Sequence, residues 1–153
     1  MRSVEKTLAL WTAGFLSSDQ VTEWAGRQIA ELDEPPYELI ELTCYGPDHC
    51  LKQSAADFSP RPSPMTYEEG FCLRAVASNL QDDAAVASFA YWATTNCIGE
   101  DLDRPYVVLG YQLDHLLNDN QDLSGAIALV RSELPKLLPG CTQIALQYAE
   151  TEA

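Results

Sequence analysis

Residues Ser17–Tyr45 read SSDQVTEWAGRQIAELDEPPYELIELTCY, and this stretch decides the fold. Ser17 stands three residues before Gln20. That is the spacing of a capping box, in which two side chains satisfy the first free N–H groups of a helix. Val21, Trp24, Ala25, Gln28, Ile29 and Leu32 then recur on one narrow helical arc. All but Gln28 are apolar, so the arc is a core-facing stripe. Asp19, Glu23, Arg27 and Glu31 fall outside it. Asp33 and Glu34 precede Pro35-Pro36. Proline cannot continue a helix but suits the first turn of a new one. The spacing predicts one helix ending near Leu32 and a shorter one that starts at Pro35 or Pro36 and runs through Tyr37–Thr43. In that second piece Ile40, Leu42 and Cys44 alternate as a strand would, while Tyr37, Ile40 and Cys44 fit a helix equally well. No strand partner stands nearby, and helix is preferred.

The same signals continue to either side. Val4, Leu8, Trp11 and Phe15 form a stripe for a first helix over 3–15, with Gly14 and Ser17-Ser18 at the turn. Gly46-Pro47, Asp48, His49 and Cys50 open a predicted loop, and 46–65 is the longest irregular segment, with Pro47, Pro60, Pro62 and Pro64. Thr66 is the expected N-cap of the next helix, with Glu68 and Glu69 favoured in its first turn by the dipole. Its buried face is expected to be Cys72, Leu73, Val76, Ala77 and Leu80, with Tyr67, Phe71 and Arg74 on the other side. Asp82 or Asp83 caps a helix over 84–97 that stops at Gly99. AAVASFAYWATTNC is apolar nearly all round, which reads as the central buried helix, with Ala85, Phe89, Ala90 and Ala93 in the core. Asp103 and Pro105 predict an N-cap and first helical residue for a helix through Leu117. A last amphipathic run over 122–134 turns Leu123, Ile127, Val130 and Leu134 inward. Pro135 should end or kink it, and Pro139-Gly140 should turn the chain. Residues 141–149 read as helix, with a short edge strand as the alternative. The sum is an all-α fold, a single-domain irregular bundle of six or seven helices over residues 1–153.

Composition narrows the function classes. A chain of 153 residues is long enough for a real core, and 46% hydrophobic residues argue against disorder. The net charge of −14 disfavours nucleic acid and anionic membrane as direct partners, because both select for basic surfaces. It permits a basic protein partner, or a protein that imitates nucleic acid. The five cysteines, Cys44, Cys50, Cys72, Cys97 and Cys141, contain no CxxC and suggest no disulfide framework. Small buried thiols in a reducing compartment account for them, and a cytoplasmic location follows. Residues 7–16 imitate a signal-peptide core after Arg2 and Lys6, but Glu5 precedes them and no A-x-A site follows. No apolar run is long enough to span a membrane.

No catalytic set emerges, and the expectation is a protein without enzyme activity or cofactor. Cys44, His49 and Cys50 do not match a zinc spacing and lack a fourth ligand. His115 follows Asp114 directly, and neighbours on a helix diverge, so they form no dyad. Glu-x-x-His is absent, with Gln112 three residues before His115 and Gly46 three before His49. The H-E-x-x-H, G-x-S-x-G and phosphate-loop patterns are absent too.

Negative charge concentrates instead. Asp19–Glu41 holds seven carboxylates against Arg27 alone, a net −6. This is either a solvated helix face or a docking surface for a basic partner. The cluster at the Pro-Pro corner, Asp33, Glu34, Tyr37, Glu38 and Glu41, is the candidate partner-binding surface, with Tyr37 as an amphipathic anchor of the kind found at hot spots.

The pattern Trp11, Gly14-Phe15-Leu16-Ser17, Trp24-Ala25, Ile29 and then Leu32-Asp33-Glu34-Pro35-Pro36-Tyr37-Glu38-Leu39-Ile40-Glu41-Leu42 resembles small acidic α-helical immunity proteins of bacterial polymorphic and contact-dependent toxin systems. The resemblance covers the first third of the chain. It implies a cytoplasmic protein that binds one cognate toxin domain, a basic one, and blocks it by stoichiometric occlusion. The alternative is a helical scaffold or regulatory subunit of a protein complex without catalytic activity. The oligomeric state is left open by either reading.

Overall fold

The computed structural model describes residues 2–151. Seven α-helices account for most of them, and no strand occurs among the described residues. They are α1 (Val4–Thr12), α2 (Ser18–Glu31), α3 (Tyr37–Leu51), α4 (Tyr67–Ala77), α5 (Asp83–Asn96), α6 (Pro105–Asp114) and α7 (Leu123–Glu150). The chain gathers into two compact units. One runs up to Pro64 and takes in the last residues from Ala149; the other is Met65–Tyr148.

In the first unit, Ser3 caps α1 and its hydroxyl accepts from the Lys6 N–H at 3.0 Å. Gly14, at φ +78°, reverses the chain. A positive φ of this size suits glycine, which has no Cβ to clash. Ser17 then caps α2 through the full capping box: the Ser17 N–H donates to Gln20 at 2.8 Å and the Gln20 N–H donates back at 3.1 Å. Val21, Trp24, Ala25 and Gln28 are buried as the stripe requires, while Leu32, the residue after the helix, is partly exposed. Leu39, Leu42, Cys50 and Phe58 meet Leu8, Val21 and Trp24 in one apolar cluster.

Two expectations fail here. Residues 46–50 are helical rather than a loop, and α3 extends well past Thr43. Gly46 breaks the helical path at φ +82°, ψ 167°, and Pro47 restarts it. The Gly-Pro pair is therefore a kink: glycine takes the conformation a helix forbids, and proline takes the first position of the next turn. The irregular segment that remains is tied down. The Arg61 guanidinium donates to the carbonyls of Gln53, Phe58 and Pro60 at 2.8–2.9 Å, and Ser63 N–H donates to Glu5 O at 3.0 Å.

In the second unit, Thr66 and Glu69 form another capping box. The buried face of α4 differs from the expected one. Tyr67, Gly70, Phe71, Cys72, Leu73 and Ala75 are buried, whereas Val76 and Ala77 are exposed. Tyr67 can be enclosed because its hydroxyl donates to Tyr106 O at 2.9 Å while its ring stacks on Trp92 at 5.4 Å. Phe71 meets Phe89 edge-on at 5.0 Å and Tyr106 at 5.1 Å. Arg74 lies over the Trp92 ring at 4.1 Å. Six of eleven α4 residues are buried, against five of fourteen in α5. The enclosed helix of this unit is thus α4, and α5 keeps a wet face through Ala84, Ser88, Tyr91 and Thr95. Asp82 caps α5, and Gly99 turns the chain after it at φ +86°.

Arg104, not Asp103, takes the cap position of α6, since Pro105 is its first residue. Gly110 lets α6 approach α5: a Cβ there would lie 2.8 Å from that of Cys97. α6 widens into a π-helical turn over His115–Asp119, closed by Asn120 N–H to His115 O at 3.2 Å. α7 then runs unbroken through Pro135 and Pro139 to Glu150, so neither proline ends it and residues 141–149 are helix. Both prolines sit four residues apart on the exposed side. The carbonyls they leave without a helical donor therefore face water, and the cost of the missing bonds falls. Ala126, Val130, Leu134, Cys141, Ala145 and Tyr148 make the buried stripe, while Leu123 lies outside it and is exposed.

Candidate functional site

The site grows from the corner between α2 and α3. Leu32 leaves α2 in an extended conformation, and Pro36 precedes α3 with no side-chain cap of its own. Glu38 in the first turn faces the positive end of the helix dipole, which favours a carboxylate there. Asp33 and Glu34 are exposed in the corner. Leu39 and Leu42 anchor α3 to the core, so the helix turns Tyr37 and Cys44 outward. Tyr37 is 59% exposed.

Tyr37 and Glu41 are joined. The phenol donates to the Glu41 carboxylate one turn on, and this bond, with desolvation and the charges of Glu41 and Asp57 behind it, holds the Tyr37 pKa above its ordinary value. Glu38 sits at the shoulder of the helix, beside the core positions, and is half-buried, as is Glu41. The five residues read from sequence thus occupy one corner, with Asp33, Glu34 and Tyr37 exposed and the two α3 glutamates partly covered.

The outer face also holds residues that the sequence reading missed. Ile40 and Tyr45 are 42% and 60% exposed and flank Tyr37 along α3. The Tyr45 ring lies 4.9 Å from that of His49. That contact requires helix on both sides of Gly46, so a loop at 46–50 hid it. The signal was present in Gly46-Pro47, which ends one helical segment and begins another. The cations of α2 and of the end of α3 are already paired: Lys52 with Asp48 at 3.0 Å, and Arg27 with Glu23 at 3.8 Å.

Family profiles, curated proteins and solved structures offer no match to this chain. The site must be read from its own chemistry. Among the described residues, no three His, Cys, Asp or Glu side chains gather as a metal site. Cys44 is exposed and Cys50 is buried, so the two thiols nearest His49 face opposite ways. No helix among the described residues is long and apolar enough to cross a membrane. What the corner offers is a ridge of tyrosine and isoleucine edged with carboxylates. That combination suits contact with a basic protein surface, where lysine and arginine stems lie along rings and their charges meet carboxylates.

Proposed function

We propose that this chain is an immunity-type protein that binds a cognate bacterial toxin domain and neutralises it by covering its working surface. The observation that carries this reading is the exposed Tyr37–Ile40–Tyr45 ridge of α3 beside the carboxylates of Asp33, Glu34 and Glu41. Aromatic residues with two side-chain torsions anchor an interface at low entropic cost, and the surrounding charge steers a basic partner. The net charge of −14 adds long-range attraction to any basic toxin. In a cytoplasmic setting, such a protein would act on toxin that has entered the cell.

The test is a titration against the toxin domain encoded beside this gene, with a growth assay in cells that express the toxin. Tyr37→Ala with Glu34→Lys should weaken binding at least tenfold and abolish protection. Both positions are exposed, so the thermal melt should stay within the change expected of surface substitutions, about 0.5 kcal/mol. Unchanged affinity with an unchanged melt would remove this corner from the interface. A genome without a neighbouring toxin gene would favour a helical scaffold instead.

A further inference from the structure

The second unit carries a surface that the toxin-binding reading does not use. Two adjoining hollows, each of about 490 Å³, share Val108, Gln112 and Leu129 and so form one groove. One wall is a face of α6 and its π-helical turn, with Pro105, Val108, Gln112 and Leu116 at helical spacing. The other is a face of α7, with Leu129, Glu133 and Leu137 one turn apart. Two helical faces flanking a trough offer the ridges between which a third helix packs. From Pro105 to Leu116 the wall runs roughly 16 Å at the helical rise, which matches about three turns of a docked helix.

The floor is apolar and wet. Leu102 and Val108 are 61% and 38% exposed and line the same trough. Charge decides what covers it. At the Pro105 end, Asp103 and Glu133 both line the groove. Lys136, which lines neither hollow, reaches Glu133 at 3.3 Å in an exposed pair that a docked cation can replace, and Asp103 forms no ion pair among the described residues. Arg104, next in sequence to Asp103, is engaged elsewhere with Glu68. A second copy of this chain is a poor occupant, since 23 acidic residues against nine basic ones would bring like charges together. We propose that the α6–α7 groove binds a basic amphipathic helix of a partner protein. Its apolar face fills the trough over Val108 and Leu129, and Lys or Arg at one end meets Asp103 and Glu133.

The experiment selects a displayed library of short helical peptides against the protein, with Val108→Glu as the counter-target. The expected result is a set of peptides that bind the wild type at least tenfold more tightly than the variant, rich in Lys or Arg at one end. Asp103→Asn with Glu133→Gln should weaken those peptides several-fold and flatten the salt dependence of their binding. Thermal melts check the fold, and Leu102→Glu replaces Val108→Glu should that variant melt early. Failure to recover peptides sensitive to these variants overturns the proposal, as does recovery of peptides without basic enrichment. Sedimentation showing a wild-type dimer that Val108→Glu dissociates would assign the groove to a second copy and overturn it too. None of these outcomes bears on the α3 corner, so the two surfaces are tested separately.

Discussion

Gln28 lies in the apolar stripe of α2, buried, with an Oε1 that has no hydrogen-bond partner. A buried amide oxygen gives up its water and receives nothing in return, at a cost of about 1–3 kcal/mol. Methionine fills nearly the same volume without the polar atom. Gln28→Met should therefore stabilise the protein by about 1 kcal/mol in a denaturant titration. A loss of stability would mean that the amide nitrogen makes a bond worth more than the stranded oxygen costs. Single residues also mark where the sequence is mute. Tyr37 and Tyr67 both open helices behind a polar corner, yet one is exposed and the other enclosed. The difference lies in Tyr106, 39 residues away, whose carbonyl receives the Tyr67 hydroxyl. No local pattern around Tyr67 announces that partner.

At the level of elements, caps were legible and long-range faces were not. Ser17–Gln20 and Thr66–Glu69 fix the starts of α2 and α4 through bonds within four residues, so the sequence carries them completely. The α2–α3 corner was legible for the same reason, since Pro35-Pro36 breaks the backbone locally. Prolines misled where the cost of their missing bond depends on exposure, as at Pro135 and Pro139 of α7. The Tyr45–His49 contact across Gly46 was lost to the mirror-image error, a kink taken for a loop. Buried faces failed where aromatic residues dominate, because a ring can serve core or surface. α5 shows the consequence. Its alanines suggest burial all round, but its inner line is Val86, Phe89, Ala90 and Ala93, with Ala85 half-buried beside it. Phe89 is buried against Phe71, so Phe89→Ala should cost about 3–5 kcal/mol, the range for emptying a buried aromatic site. A loss below about 1 kcal/mol in denaturant unfolding would place α5 at the periphery of its unit.

At the scale of the whole molecule, charge is the dominant global property. Twenty-three acidic residues face nine basic ones. Among the described residues, the ion pairs that could offset them are few and exposed: Arg27–Glu23, Lys52–Asp48, Arg104–Glu68, Arg131–Asp83 and Lys136–Glu133. Each exposed pair contributes no more than about 1 kcal/mol and weakens in salt. The excess carboxylates repel one another over longer distances, and folding brings them closer than the unfolded chain does. Salt screens both effects, but the repulsions outnumber the attractions. Raising NaCl from about 0.02 M to about 0.2 M shrinks the screening length from roughly 20 Å to below 10 Å, enough to quench repulsion between carboxylates on different helices. Stability should rise by about 1 kcal/mol, or roughly 2–4 °C in the melting midpoint for a chain of this length. The same addition should slow association with a basic partner, because steering depends on the field that salt removes. A calorimetric salt series tests the first effect and stopped-flow binding tests the second. A midpoint that falls with salt would show that the five pairs outweigh the repulsion, and the acidic surface would then be part of what holds the fold together.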